Sequence, residues 1–167
     1  MDISLEMSKN WFEFSLDRML APSELDKSLQ ELEQSDWGEP TYDSHLVTTV
    51  HRLRRVALRE FSLEDLRIMI GQSIGLPYLV PLALQHLRKD PLAEGDFYPG
   101  DLLKAVLTVD PAFWREHPEW RDEVREIASR TLTRLHSLKP GDEDHSDVVL
   151  DSLTEGWKLF ESAQHAV

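Results

Sequence analysis

Between Ser62 and Lys89 the chain reads SLEDLRIMIGQSIGLPYLVPLALQHLRK, and its apolar spacing dictates two buried helices in succession. Ser62 offers a hydroxyl and Asp65 an acid three residues on, the two halves of an N-terminal capping box. Leu63, Leu66 and Ile70 fall on one face with Ile68 and Met69 beside them, so this helix is apolar on most sides and is expected at the centre of the fold. Gly71 and Gly75 mark its end, because glycine takes left-handed or tight turns without steric cost. In the second segment Leu79, Leu82, Ala83 and Leu87 repeat at three and four spacing, and Arg88 and Lys89 close it where cations favour the helix dipole. Pro81 belongs in the first turn of that helix. A start as early as Pro77 would set its ring against a carbonyl four residues back and kink the axis.

Helical spacing extends in both directions. Leu46, Val50 and Leu53 mark one helix upstream, and Ser28 with Glu31 forms a second capping box ahead of the short run LQELEQ. Downstream, Leu102, Leu103, Val106 and Leu107 follow Asp101, and residues 119–138 carry Trp120, Val124, Ile127, Thr131 and Leu135 in one stripe with charges opposite. Lys139 to Asp147, KPGDEDHSD, reads as an exposed acidic connector to a terminal helix bearing Leu153, Trp157 and Phe160. Only the first 16 residues depart from this theme. There Ile3, Leu5 and Met7, then Phe12, Phe14 and Leu16, alternate around Ser8 to Asn10 in a pattern compatible with a small β-hairpin. The expected fold is mainly α, a compact single-domain multi-helix bundle over residues 1–167, with 1–27 as an N-terminal extension and 139–147 as the connector. A length of 167 residues suffices for one core without metals or disulfides.

The net charge of −13 is unevenly spread. Residues 1–44 hold eleven acids against three bases, residues 45–138 thirteen of each, and residues 139–167 seven against two. A chain of this sign is a poor nucleic-acid binder despite the local run Arg52, Arg54, Arg55, Arg59, because phosphate recognition requires clustered cations. It suits a basic protein partner, although acidity also serves solubility alone. The absence of cysteine removes disulfide scaffolds, thiolate metal sites and cysteine nucleophiles together, and fits a reducing cytoplasm. The opening MDISLEMSKNWFEF lacks the basic start and apolar run of a secretory signal, and the longest nearly apolar stretch, 74–84, is about half of a bilayer span. A cytoplasmic protein with no membrane segment is expected.

Reaction chemistry finds little footing. None of the seven histidines stands in HExxH, HxH or another dense ligand spacing, and His86 with Asp90, one helical turn apart, lacks a third ligand. GQSIG has neither the Lys nor the Ser/Thr of a phosphate loop and follows a helix instead of a strand, and no serine occupies a GxSxG elbow. No metal or cofactor is expected. The tryptophans, Trp37 among them, read as core or interface anchors. The turn-rich DPLAEGDFYPGD at 90–101 is a structured loop with two readings. In one, Glu94, Asp96, Tyr98 and Asp101 contact a partner; in the other, Phe97 and Tyr98 plug the core and Asp101 caps the next helix. The structural role is favoured for Phe97 and Asp101, and partner contact for Glu94 and Asp96, with Tyr98 kept among the contact candidates.

The block FSLEDLRIMIGQSIGLPYLVPLALQHLRKDPLAEGDFYPGD at 61–101, preceded by DWGEPTYDSHLV from Asp36 and HRLRR at 51–55 and followed by FWREHPE at 113–119, resembles the helical immunity proteins of contact-dependent growth inhibition systems. The resemblance covers about half the chain. It implies a non-enzymatic protein that binds and silences a cognate toxin domain, stoichiometrically and without covalent chemistry. Combined with the charge, it points to a basic toxin domain, a nuclease being one such class, and to Asp36, Glu39, Asp43, Glu94, Asp96 and Tyr98 as contacts. The competing reading is a helical adaptor or regulatory subunit for another basic protein, with a hydrolase of unrecognised type a distant third.

Overall fold

The computed structural model describes residues 19–143 and 146–163, and these are mainly helical. Nine α-helices occur among them, with one 3-10 turn: α1 Pro22–Leu25, α2 Leu29–Leu32, α3 His45–Leu53, the turn Leu58–Glu60, α4 Leu63–Gly71, α5 Leu76–Lys89, α6 Asp101–Leu107, α7 Pro111–Glu116, α8 Pro118–Ser137 and α9 Asp147–Ser162. The only β pairing among them is an isolated antiparallel bridge between Ser28 and Ala57. The N-terminal alternation that suggested a hairpin lies outside the described residues.

Both capping boxes form. The Ser28 hydroxyl accepts from the Glu31 amide while the Glu31 carboxylate accepts from the Ser28 amide, and Ser62 and Asp65 repeat the exchange at the start of α4. Each box satisfies two amides that a helix start would otherwise leave without acceptors. The other end of α4 falls within the expected Gly71–Gly75 stretch. Gly71 is helical, and the left-handed positions are Ser73 (φ 58°) and Gly75 (φ 64°). Gly75 is needed twice over, since a Cβ there would stand 2.7 Å from Leu29 Cδ1.

α5 starts at Leu76, which puts Pro77 in its first turn and Pro81 inside the helix, not in the first turn as its sequence suggested. Pro81 has no amide to donate to the Pro77 carbonyl. Pro81 is itself buried, as are Leu79, Val80, Leu82, Ala83 and Leu84 around it in sequence, and burial of its apolar ring offsets the missing hydrogen bond.

α4 packs against α3, α5 and α6. It buries Leu66, Met69 and Ile70, with Glu64 and Arg67 half-buried. The enclosed element is α6, where six of seven residues are buried and which packs against α4, α5, α8 and α9. Its one long polar side chain, Lys104, runs outward to the Ser152 carbonyl at 3.0 Å and to Glu155 at 2.6 Å. α9 comes close enough for this because residue 156 is glycine; a Cβ there would meet Lys104 Cδ at 2.9 Å and Leu107 Cβ at 3.3 Å.

Of the apolar positions expected in the core, Leu66, Ile70, Leu79, Leu82, Leu87, Leu103, Val106 and Val124 are buried, whereas Ile127 is half-buried at the rim. The buried Thr131 hydroxyl is satisfied by the Ile127 carbonyl at 2.7 Å. Leu79, fully enclosed, should cost about 2–5 kcal/mol when cut to alanine. Leu46, on the same α3 stripe as Val50 and Leu53 but exposed, should cost less than about 0.5 kcal/mol. Urea unfolding of the two variants checks the contrast.

Candidate partner-binding surface

Two exposed segments carry the acids singled out by sequence, and each is fixed to a different helix. The first runs from Glu33 to Ser44. α2 ends with Gln34 in the left-handed region (φ 51°), unusual for a residue with a Cβ, and the chain then crosses the C-terminal end of α3. Three α3-end side chains hold it there. Arg54, 1% exposed, reaches Glu33 with Nη1 and donates to the Ser35 carbonyl from Nη2 at 2.8 Å. Arg55 donates to the Gly38 carbonyl and to Glu39, both at 3.0 Å, and His51 Nδ1 lies 3.2 Å from the same carbonyl. Asp36 closes the turn by accepting from the Gly38 amide at 2.8 Å.

Asp36, Glu39 and Asp43 are therefore all exposed, with unequal engagement. Asp36 uses one oxygen locally, Glu39 pairs with the exposed Arg55, and Asp43 has no ion pair among the described residues. Between them Trp37 is 45% exposed, with the Arg54 guanidinium 4.1 Å from its ring centroid and the His51 ring edge-on at 5.6 Å. Tyr42 is 71% exposed.

The second segment, 90–100, is organised by Asp101. Its buried carboxylate accepts from the Gly95 amide at 2.7 Å and the Phe97 amide at 3.2 Å, with Arg67 Nε at 3.8 Å. Asp101 was expected to cap its own helix. The structure makes it the first residue of α6 and turns its side chain back on the loop. Phe97, expected in the core, is 67% exposed for the same reason: its amide is committed to Asp101 and its ring lies over the Arg67 guanidinium at 4.4 Å.

Glu64 completes the network, receiving Arg67 in a two-pronged bond at 2.6 and 2.7 Å and the Asp96 amide at 2.9 Å. Hydrogen bonds from Arg67 hold the Glu64 carboxyl below its ordinary value against the opposing effect of burial, and the Glu64 carboxylate raises Arg67 in turn. Glu94 and Asp96 are exposed at the loop surface. Tyr98 is half-buried, with its hydroxyl 2.7 Å from Ser152 Oγ of α9.

A groove of about 540 Å³ lies between the end of α5 and α8, with Leu87, Pro91 and Ile127 as its apolar lining. Its charges are largely paired: Arg88 donates to Glu123 from Nε and Nη2, and Arg130 reaches Glu126 at 3.3 Å. Among the described residues no group of three His, Asp or Glu side chains is placed to hold a metal, and no helix is long and apolar enough to cross a membrane.

These features describe a helical protein with two stiffened acidic segments at its surface. Residues 31–124 match the family of CDI immunity proteins, more than half of the chain, and the chain belongs to that family. It is a non-enzymatic inhibitor that neutralises a cognate contact-dependent growth inhibition toxin. A search of curated proteins finds no match. The Arg54 clamp and its stack on Trp37 were not foreseen; HRLRR shows a basic run, and nothing in a single sequence marks which arginine is buried.

Glu64 gives a pH prediction. With its folded value below the ordinary 4.5, it contributes stability that is present above that value and lost as pH falls through the lowered one. Between about pH 5 and about pH 3 the wild type should therefore lose more unfolding free energy than Glu64→Gln. Urea melts at the two pH values measure the difference.

Proposed function

We propose that the toxin is engaged through the acidic segments at 36–43 and 94–96, and that the toxin domain is basic, a nuclease being one class that answers this description. The observation that carries this reading is the contrast in charge pairing. Elsewhere among the described residues many charges are neutralised internally, as in Glu64–Arg67, Arg88–Glu123 and Arg125–Glu161. Asp43 and Glu94 have no such partner among the described residues, and Glu39 shares only an exposed arginine. Their fields extend into solvent, where they accelerate encounter with an oppositely charged surface. Tyr98 stands at the inner edge of the second segment, where its bond to Ser152 stiffens the loop that presents Glu94 and Asp96.

The same reading takes the chain as one domain, in keeping with the single cluster of buried apolar residues from Leu29 to Phe160, and places the encounter with the toxin in the cytoplasm. Inhibition is by occupancy, one inhibitor to one toxin.

Association kinetics with the purified toxin domain test the proposal. Raising salt from low to above physiological should slow association markedly and change dissociation less, because the Debye length shrinks below about 8 Å past 0.15 M. Glu94→Lys with Asp96→Lys should slow association on the order of ten-fold and leave the melting temperature unchanged. An association rate indifferent to both would remove these positions from the surface.

A further inference from the structure

We propose that Trp37 is the apolar anchor of the toxin contact and that Arg54 is the residue that positions it. The inference rests on the reading above that the 36–43 segment faces the toxin, and adds which side chain sets the lifetime of the complex. The occupant of this surface is the cognate toxin domain, presenting an apolar recess rimmed by basic side chains.

Three observations converge on Trp37. Of the seven large apolar side chains exposed among the described residues, three (Trp37, Tyr42 and Leu46) fall within ten positions, and the same stretch contains Asp36, Glu39 and Asp43. An exposed aromatic side chain on a segment rich in acids matches an apolar recess rimmed by bases, the arrangement of a buried anchor inside a charged rim. The backbone on both sides of Trp37 is held: the Ser35 carbonyl by Arg54, the Gly38 amide by Asp36, and the Gly38 carbonyl by Arg55 and His51. Little freedom of loop or ring is left to lose on binding, which is what separates an anchor from an incidental exposed aromatic.

The third observation is the cost of the support. Arg54 is 1% exposed, and among the described residues its only carboxylate partner is Glu33 and its Nε has no acceptor. Burying a guanidinium with incomplete pairing is unfavourable for folding alone. It is intelligible if the planar cation serves to fix the Glu33–Gly38 turn and give the indole a flat seat. The adjacent Gln34, with its left-handed backbone, is a second local cost in the same turn. The competing account is that Trp37 merely shields Arg54 from water.

Measuring association, dissociation and melting temperature for the full chain with the toxin domain separates the two. Trp37→Ala should raise the dissociation rate at least about ten-fold with association changed less than about two-fold, and Trp37→Phe should recover part of the loss. Arg54→Lys, which keeps the charge without the planar fork, should also raise the dissociation rate while the salt dependence of association stays as in the wild type. An unchanged dissociation rate in a folded Trp37→Ala protein overturns the anchor; if Glu94→Lys with Asp96→Lys still slows association, the acidic-surface reading survives that failure. Should the alanine variant not fold, the wild type decides through the Trp37 indole N–H resonance. A shift and slowed exchange on adding unlabelled toxin support the anchor, and an unmoved resonance overturns it.

Discussion

The enclosure of α6 is the constraint on which the other placements depend. A seven-residue helix cannot be stable by itself, so Asp101–Leu107 exists because α4, α5, α8 and α9 cover it. Each covering helix is shaped by that duty. α5 carries eight buried residues and accepts a proline in its body, and α9 gives up a side chain at Gly156 to approach. Lys104 escapes the enclosure by stretching to the α9 surface, so the one cation on α6 becomes a tie between helices instead of a buried charge.

The surface segments are built by a different rule, with buried or half-buried charges used as backbone clamps. Asp101 gathers two loop amides at the mouth of α6, and Arg54 gathers a carboxylate and a carbonyl at the end of α3. In both cases a salt partner lies on a neighbouring element, Arg67 and Glu33 respectively. Such pairs contribute little net stability against hydrophobic replacements, and breaking one partner is costly. What they provide is a fixed loop shape. For an inhibitor that shape has a direct use, because order present before binding lowers the entropy lost on binding.

This division also explains which parts of the fold were legible in the sequence. Helices show themselves through spacing and through local chemistry of four residues, so the Ser28–Glu31 and Ser62–Asp65 boxes and the stripes of α8 and α9 could be read directly. Pro81 could not, since its tolerance goes with its burial in the folded core, which no local pattern states. The enclosure of α6 was hidden because DLLKAVL is too short to show a period. Phe97 and Asp101 exchanged the roles that composition suggested: an aromatic looks like core until a buried carboxylate claims its amide. For the surface, the exposure of Asp36, Glu39, Asp43, Glu94 and Asp96 followed from turn chemistry around them. The seat of Trp37 on Arg54 joins positions 17 residues apart, and no local pattern encodes it.

The proposed toxin contact lies on the stiffened acidic segments and not in the groove between α5 and α8. Amide hydrogen exchange of the inhibitor, free and saturated with toxin domain, tests this without altering any residue. Contact at the acidic segments adds protection at 35–46 and 94–98 and leaves α8 unchanged. Protection confined to 87–92 and 123–134, with both acidic segments exchanging as in the free protein, would contradict it.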